Sequence, residues 1–286
     1  MKTHLFYNEL HLGDCLLQCR YFQKVAPLRP DEMFIFVCGW EHHSQLQETI
    51  EHLPNVALKP LTERRSVAGM RSPLPSLPPE AINTWIDWNG DYGKSPFAQD
   101  YIRFYLWWFK KLSIEAGLPE VFTKRSDIMF DYPALLKKIR VPWRASGLAT
   151  ETVALLRTEF DFLVVNSTPR SGQFTYKQEE MDELINLIAK KHSVIVTQKT
   201  DVPGVECTAD YGSTVTSIGN LSIRCQNHIC INTGPAWPTY NLWNFRRTKF
   251  RASLHDWVRL DFGELRVENF TSIKAVVDRL EEVKLL

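Results

Sequence analysis

Residues 3–38 read THLFYNELHLGDCLLQCRYFQKVAPLRPDEMFIFVC, and the change of period along this stretch decides the fold. Thr3 to Asn8 is a short apolar and aromatic run of strand character, and Glu9 to Asp14 is a polar loop. From Cys15 to Leu28 the apolar residues Leu16, Leu17, Cys19, Phe22 and Val25 recur at helical spacing. Met33 to Cys38 is apolar without interruption, the pattern of a strand covered on both faces. Ser44 to Leu53 then predicts a capped helix and Val56 to Leu61 a third strand. Strand and helix in alternation imply a parallel sheet, so the class is α/β.

Pro73, Pro75, Pro78 and Pro79 punctuate the stretch from Thr62 to Phe97, which reads as a long irregular excursion over the rim of the sheet. Pro96 sits where a helix can begin, and Phe97 to Ala116 predicts a long aromatic-rich helix ending at Gly117 and Pro119. A short strand is expected at Asp127 to Phe130. Pro142 to Gly147, followed by a helix from Thr150, marks the crossing into a second domain.

The alternation then resumes: strand Phe160–Asn166, helix Lys177–Lys191, strand Val194–Gln198, helix Ser213–Gln226, strand His228–Asn232 and a helix from Ala236. With 286 residues at about 100–200 per domain, the division is 1–150 and 151–286, each a Rossmann-like domain with a parallel sheet. A final helix, Thr271–Val283, places Ile273, Val276, Val277, Leu280 and Val283 on one face. It needs a core to cover, either its own domain's or, as in many two-Rossmann proteins, the first domain's.

Hydrophobic residues at 44% and charged residues at 23% are those of a chain that folds in water. Lysine and arginine number 34 against 33 aspartates and glutamates, so no field draws the chain to nucleic acid. No run approaches the roughly 20 apolar residues of a membrane span, and no leader with a cleavage site opens the chain. A cytoplasmic protein without stable membrane insertion is expected, with peripheral contact at the inner face of a membrane left open. The six cysteines form no CxxC pair and lie in apolar segments, as reduced core residues do. His42 and His43 lack spaced partners, and there is no DxD triplet, so neither a metal nor a cofactor is expected. The absence of GxGxxG argues against a dinucleotide oxidoreductase.

In open α/β sheets, ligands bind beyond the carboxyl ends of the strands. After the first strand come His11, Gly13 and Asp14; glycine permits a close turn, and the carboxylate is either a helix cap, a general base, or both. After the strand at 228–231 come Asn232, Thr233, Gly234 and Pro235, where free amides at a helix start suit a diphosphate, although an ordinary strand-to-helix turn has the same residues. The loop after Phe160–Asn166 offers Asn166, Thr168, Arg170 and Gln173, with Arg170 able to neutralise phosphate oxygens. Asp87 and Asp91 flank Trp88, Asn89 and Gly90, either a contact for a polyhydroxylated acceptor or an Asn-Gly turn beside a buried ring.

Two segments, HLGDCLLQCRYFQKVAP (11–27) and SIGNLSIRCQNHICINTGPAWPTYN (217–241), with FLVVNSTPRSGQFTYKQEEMDELINLI (162–188) between them, resemble the bacterial heptosyltransferase-like glycosyltransferases. The resemblance covers most of the chain and implies the GT-B arrangement, two Rossmann-like domains facing across a cleft. It further implies lipopolysaccharide or glycan biosynthesis by metal-independent, inverting transfer from a nucleotide-sugar to a glycan or glycolipid acceptor. Asp14 is then the general base, with His11, Gly13, Asp87 and Asp91 toward the acceptor. Asn166, Thr168, Arg170, Gln173, Asn232, Thr233, Gly234 and Pro235 fall to the donor. The chain departs from the family at Asn232, where the family has aspartate, at Trp237 in the following histidine region, and at Gln173 and Phe174 in place of Lys-x-Trp. A nucleotide-sugar epimerase and a non-catalytic carbohydrate- or nucleotide-binding protein are the alternative readings on one scaffold.

Overall fold

A computed structural model describes residues 1–61, 73–86, 91–97, 99–130, 160–169 and 173–286. The strand and helix periods resolve into two all-parallel sheets, in units spanning Met1–Ile128 and Met129–Leu286. The predicted crossing at Pro142–Gly147 and the helix from Thr150 lie outside the described residues.

In the first unit, β1 (Thr3–Asn8), β2 (Met33–Gly39), β3 (Val56–Leu61) and β4 (Ile82–Asn83) are ordered β3-β2-β1-β4. Helix α1 (Leu12–Val25) carries the chain from β1 to β2, and α2 (Trp40–Ile50) from β2 to β3. The apolar stripe of α1 is buried, and Phe22 packs its ring on Phe6, Phe34 and Phe36 at 5.3, 6.0 and 5.6 Å. Each such side chain contributes about 1.5–3 kcal/mol by leaving water. After the single turn α3 (Asp91–Lys94), α4 (Tyr101–Ala116) starts later than Pro96 suggested. Asp100 supplies the cap, accepting from the Arg103 amide at 3.1 Å, and Gly117, in the left-handed region at φ 64°, ends the helix. Its inner face stacks on α1 through Tyr21 and Phe109, 5.3 Å apart.

The strand expected at Asp127–Phe130 is instead a 3₁₀ turn, Arg125–Ile128. Asp127 folds back to accept from the Thr123 and Lys124 amides at 2.9 Å each and from Lys24 Nζ, which rewards a turn over an extended chain.

In the second unit, β5 (Phe160–Val165), β6 (Val194–Val196), β7 (Glu206–Cys207), β8 (Cys225–Ile231), β9 (Phe250–Leu254) and β10 (Glu268–Phe270) are ordered β10-β9-β8-β5-β6-β7. Helices α5 (Gln178–Ala189) and α8 (Ile273–Glu282) cover one face. Met181, Leu184, Ile185, Ile188, Ile273, Val276 and Leu280 pack there on Phe162, Val164, Ile229, Ile231, Ala252 and Leu254. The final helix therefore covers the core of its own unit. Helix α6 (Val215–Ser222) is shorter than its apolar pattern implies, because Thr214 caps it and the chain at Cys225 already pairs with Phe160. The helix expected from Ala236 is a 3₁₀ helix, Gly234–Thr239; Pro238 cannot donate into an α-ladder, and Asn241 caps a separate α7 (Leu242–Arg247).

Candidate functional site

The sheet orders locate where an open α/β sheet forms a crevice. In the first unit the chain moves from β1 outward to β3 and then places β4 on the other side of β1, so the connection reverses between Asn8 and Asn83. In the second it moves from β5 to β7 and then places β8 on the other side of β5, reversing between Val165 and Ile231. Such reversals leave a crevice at the carboxyl ends of the two strands.

At the first crevice, Asn8 Oδ1 accepts from the Leu10 amide at 2.8 Å and turns the chain out of β1. The turn is thus made by Asn8 to Leu10; Gly13 already lies in α1 and needs no special backbone. Asp14 is not the helix cap. His11 occupies the cap position without a side-chain bond, and Asp14 sits in the first turn with only 9% of its surface exposed. Its Oδ1 accepts from the Tyr105 hydroxyl of α4 at 2.5 Å. Burial pushes its pKa above the ordinary value, against the lowering effects of His11 and the Tyr105 bond. One turn along, Gln18 is buried with no partner for Nε2, and Asn8 Nδ2 is likewise unpaired. Asp91 opens α3, while Asp87 lies outside the described residues.

At the second crevice Asn166 serves the fold. Its Oδ1 accepts from the Thr197 amide, the Thr197 hydroxyl and the Gln198 amide at 3.1, 3.2 and 2.8 Å, and Nδ2 donates to the Gln198 carbonyl at 3.0 Å. These bonds lock the end of β5 to the end of β6. Thr168 is exposed and shares Gln198 Oε1 at 3.3 Å, whereas Arg170 lies outside the described residues. Thr233 turns inward, donating both amide and hydroxyl to the Ile231 carbonyl at 2.7 and 3.2 Å. Gly234 and Pro235 open the 3₁₀ helix, so the turn carries no long helix dipole, and the free amides expected here are largely absent: those of Asn232, Thr233 and Ala236 are taken by the Leu254, Ile231 and Thr233 carbonyls, and Pro235 has none. Asn232 is buried, and its Oδ1 and that of Gln173, Oε1, have no partner.

Sequence reasoning missed the loop after β9. The Leu254 carbonyl accepts from the Asn232 amide at 3.1 Å, so this loop begins beside Asn232. His255 is buried, and its Nδ1 accepts from the Trp257 and Val258 amides at 3.3 and 3.2 Å. Burial holds its pKa down to about 4. Asp256 bridges to the Gln173 loop: its amide donates to the Gln173 carbonyl at 2.9 Å, and its Oδ2 accepts from the Thr175 amide at 3.0 Å. Trp257 rests edge-to-face on His255 at 4.8 Å and keeps 49% of its surface exposed. The one available signal was the short run Phe250–Leu254, obscured by Arg251 and Ser253 in an otherwise apolar strand.

Among the described residues no group of three or more histidine, cysteine, aspartate or glutamate side chains is gathered as a metal would require, and no helix is long and apolar enough to cross a membrane.

No protein-family model and no curated protein sequence matches the chain. Solved structures do. The E. coli heptosyltransferase WaaC with ADP aligns at TM-score 0.55 and 12% identity over 99% of this chain and 98% of its own. The same enzyme with ADP-2-deoxy-2-fluoro heptose aligns at 0.54 and 11%, over 99% and 100%. The family 9 glycosyl transferase of Veillonella parvula DSM 2008 aligns at 0.52 and 10%, over 99% and 89%. Over nearly its whole length the chain has the mixed α/β fold of the heptosyltransferase-type GT-B glycosyltransferases.

Proposed function

We propose that this protein is a glycosyltransferase that moves a sugar from a nucleotide-sugar donor to a hydroxyl of a glycan or glycolipid acceptor, with Asp14 as the general base. The observation that carries the reading is the state of Asp14: a buried carboxylate at a strand reversal, oriented by one tyrosine. Burial makes it a stronger proton acceptor than a solvated aspartate, which is what removal of a hydroxyl proton requires. Asp14 takes that proton as the acceptor oxygen attacks the anomeric carbon from the face opposite the leaving group. The configuration inverts and the nucleoside diphosphate departs.

The donor falls to the second unit, at the loop from Asn232 to Pro235, with Thr168 and Gln173, and with Arg170 assigned to it from the sequence. The Arg170 guanidinium is assigned the charge developing on the departing diphosphate. The heptosyltransferase of like fold was solved with ADP and with an ADP-heptose analogue, which supports a nucleotide-sugar for this chain. The Asn166 side chain contributes by holding the end of β5 to the end of β6. Asn232, standing where the resembling family has aspartate, favours a second reading, nucleotide-sugar binding without transfer.

The test is a thermal-shift panel of ADP-, UDP-, GDP- and CDP-sugars and the bare nucleotides, followed by release of nucleoside diphosphate with the stabilising donor and candidate glycan acceptors. Asp14→Asn is expected to keep the thermal shift and lose about 10²–10⁴-fold in turnover. Turnover near wild type in that variant removes Asp14 from the base role. No shift with any nucleotide refutes the donor site, and binding without acceptor-dependent release selects the second reading.

A further inference from the structure

Three segments converge at the carboxyl edge of the second sheet: the Gln173–Tyr176 loop, Asn232 after β8 and the His255–Val258 loop after β9. They are bonded to one another by the Asn232 amide on Leu254, the Asp256 amide on Gln173 and the Thr175 amide on Asp256. Within this frame Trp257 is exceptional. Its neighbour Val258 is buried, its backbone is tied to His255 Nδ1, and its ring is seated edge-to-face on the His255 imidazole, yet about half of the residue's surface faces solvent. With His255 neutral at physiological pH and accepting through Nδ1, the imidazole is fixed in one orientation and the indole with it. An exposed indole whose position is set in advance binds a flat ring at little ordering cost.

The flanking loops add a second, independent indication. Asn232 is 4% exposed with Oδ1 unpaired, and Gln173 buries Oε1 without a partner. Buried polar atoms of native proteins are ordinarily satisfied, so carboxamides left open at a ligand edge point to N–H or O–H groups brought by the ligand. β8 and β9 are adjacent parallel strands about 4.8 Å apart, which places the Trp257 loop one strand from Thr233 and within the reach of a single nucleoside diphosphate.

We propose that Trp257 is the platform on which the nucleobase of the donor stacks, with the Gln173 and Asn232 carboxamides taking hydrogen bonds from the same nucleotide. This rests on the donor site proposed above and names the residue that holds the base. None of the motifs read from the sequence includes it.

The experiment measures binding of ADP, UDP, GDP, CDP and pyrophosphate to the full chain and to Trp257→Ala and Trp257→Phe, with melting temperature as the fold control. Stacking of one base predicts that the nucleoside diphosphate bound by the wild type binds Trp257→Ala about 10-fold or more weakly. Trp257→Phe retains most of the affinity, pyrophosphate binds all three proteins alike, and the nucleotide-induced quench of tryptophan fluorescence is lost in Trp257→Phe. Equal nucleotide affinity in Trp257→Ala overturns the platform while leaving the donor site standing. An equal loss of pyrophosphate and nucleotide overturns it too, since the residue then serves the loop and not the base. If no nucleotide binds the wild type, the donor site and the platform fall together.

Discussion

Tyr105 donates its hydroxyl to Asp14 Oδ1, joining the inner face of α4 to the first turn of α1 across 91 residues of sequence. The phenol is 2% exposed and held between Tyr101 at 5.3 Å and Phe109 at 5.9 Å, so the carboxylate receives a donor that cannot swing away.

Tyr105→Phe keeps the burial of Asp14 and removes one group that lowers its pKa, so the carboxyl titrates at higher pH than in the wild type. The acid limb of the transfer rate should move to higher pH, with kcat falling more than KM changes. Carbon-detected NMR titration of Asp14 gives the same answer without substrate. A downward shift would show that the phenol does not stabilise the ionised form.

The raised pKa also predicts an effect on folding. Ionised Asp14 is disfavoured in the native state, so its penalty grows as pH climbs from the ordinary carboxylate range through the folded pKa and persists at neutrality. Asp14→Asn should therefore melt higher than the wild type at pH 7, with the advantage shrinking toward pH 3. Equal melting temperatures at pH 7 would mean that the carboxylate is compensated in place.

Asn166 and Thr168 were equal donor candidates from sequence and should behave oppositely. Asn166→Ala leaves the Gln198 amide without its acceptor, while the Thr197 amide keeps the Val164 carbonyl at 3.2 Å, and is expected to cost about 1–3 kcal/mol in urea unfolding. Thr168→Ala, at an exposed hydroxyl, should stay within about 0.5 kcal/mol. A cost below 1 kcal/mol for Asn166→Ala would show that the β5–β6 lock is dispensable.

His228 is fully buried with Nε2 against the Ser222 carbonyl at 2.9 Å, and burial together with Arg251 depresses its pKa to about 3. His255 is depressed to about 4. Both remain neutral when folded and charge near 6.5 when unfolded, so stability present above pH 6.5 is lost as pH falls toward 4, at up to about 1.4 kcal/mol per pH unit for each group. His228→Gln should flatten that slope by about one proton. An unchanged slope assigns the acid sensitivity elsewhere.

Arg251 is 5% exposed, lies over the Phe245 ring at 4.0 Å, and has no carboxylate within ion-pair distance among the described residues. Burial lowers its pKa to about 10, so the penalty of the buried cation is present in full at pH 7. Arg251→Met keeps the packing and removes the charge, with an expected gain of about 0–3 kcal/mol. Arg251→Ala should lose stability through the space left beside Phe245. Destabilisation by Arg251→Met beyond about 1 kcal/mol would mean that the contact of the guanidinium with the Phe245 ring is worth more than its desolvation.

Hydrophobic periodicity alone specifies the two parallel sheets. Strands covered on both faces read as unbroken apolar runs, as at Met33–Cys38 and Phe162–Val165, and helices over a sheet read as one-sided stripes, as in α1, α5 and α8. It also placed Asp14 and Asn232 after their strands, because ligand loops follow strand ends. What it left open is what each polar side chain bonds to. Long-range packing settles that Asp14 is buried against Tyr105 rather than capping α1, that Asn166 locks two strands, that the stretch at Asp127 curls around Lys24, and that β9 hides Arg251 and Ser253 in the sheet. Hydrogen-bond partners are set by distances of a few ångströms between segments far apart in the chain, and no local period carries that information.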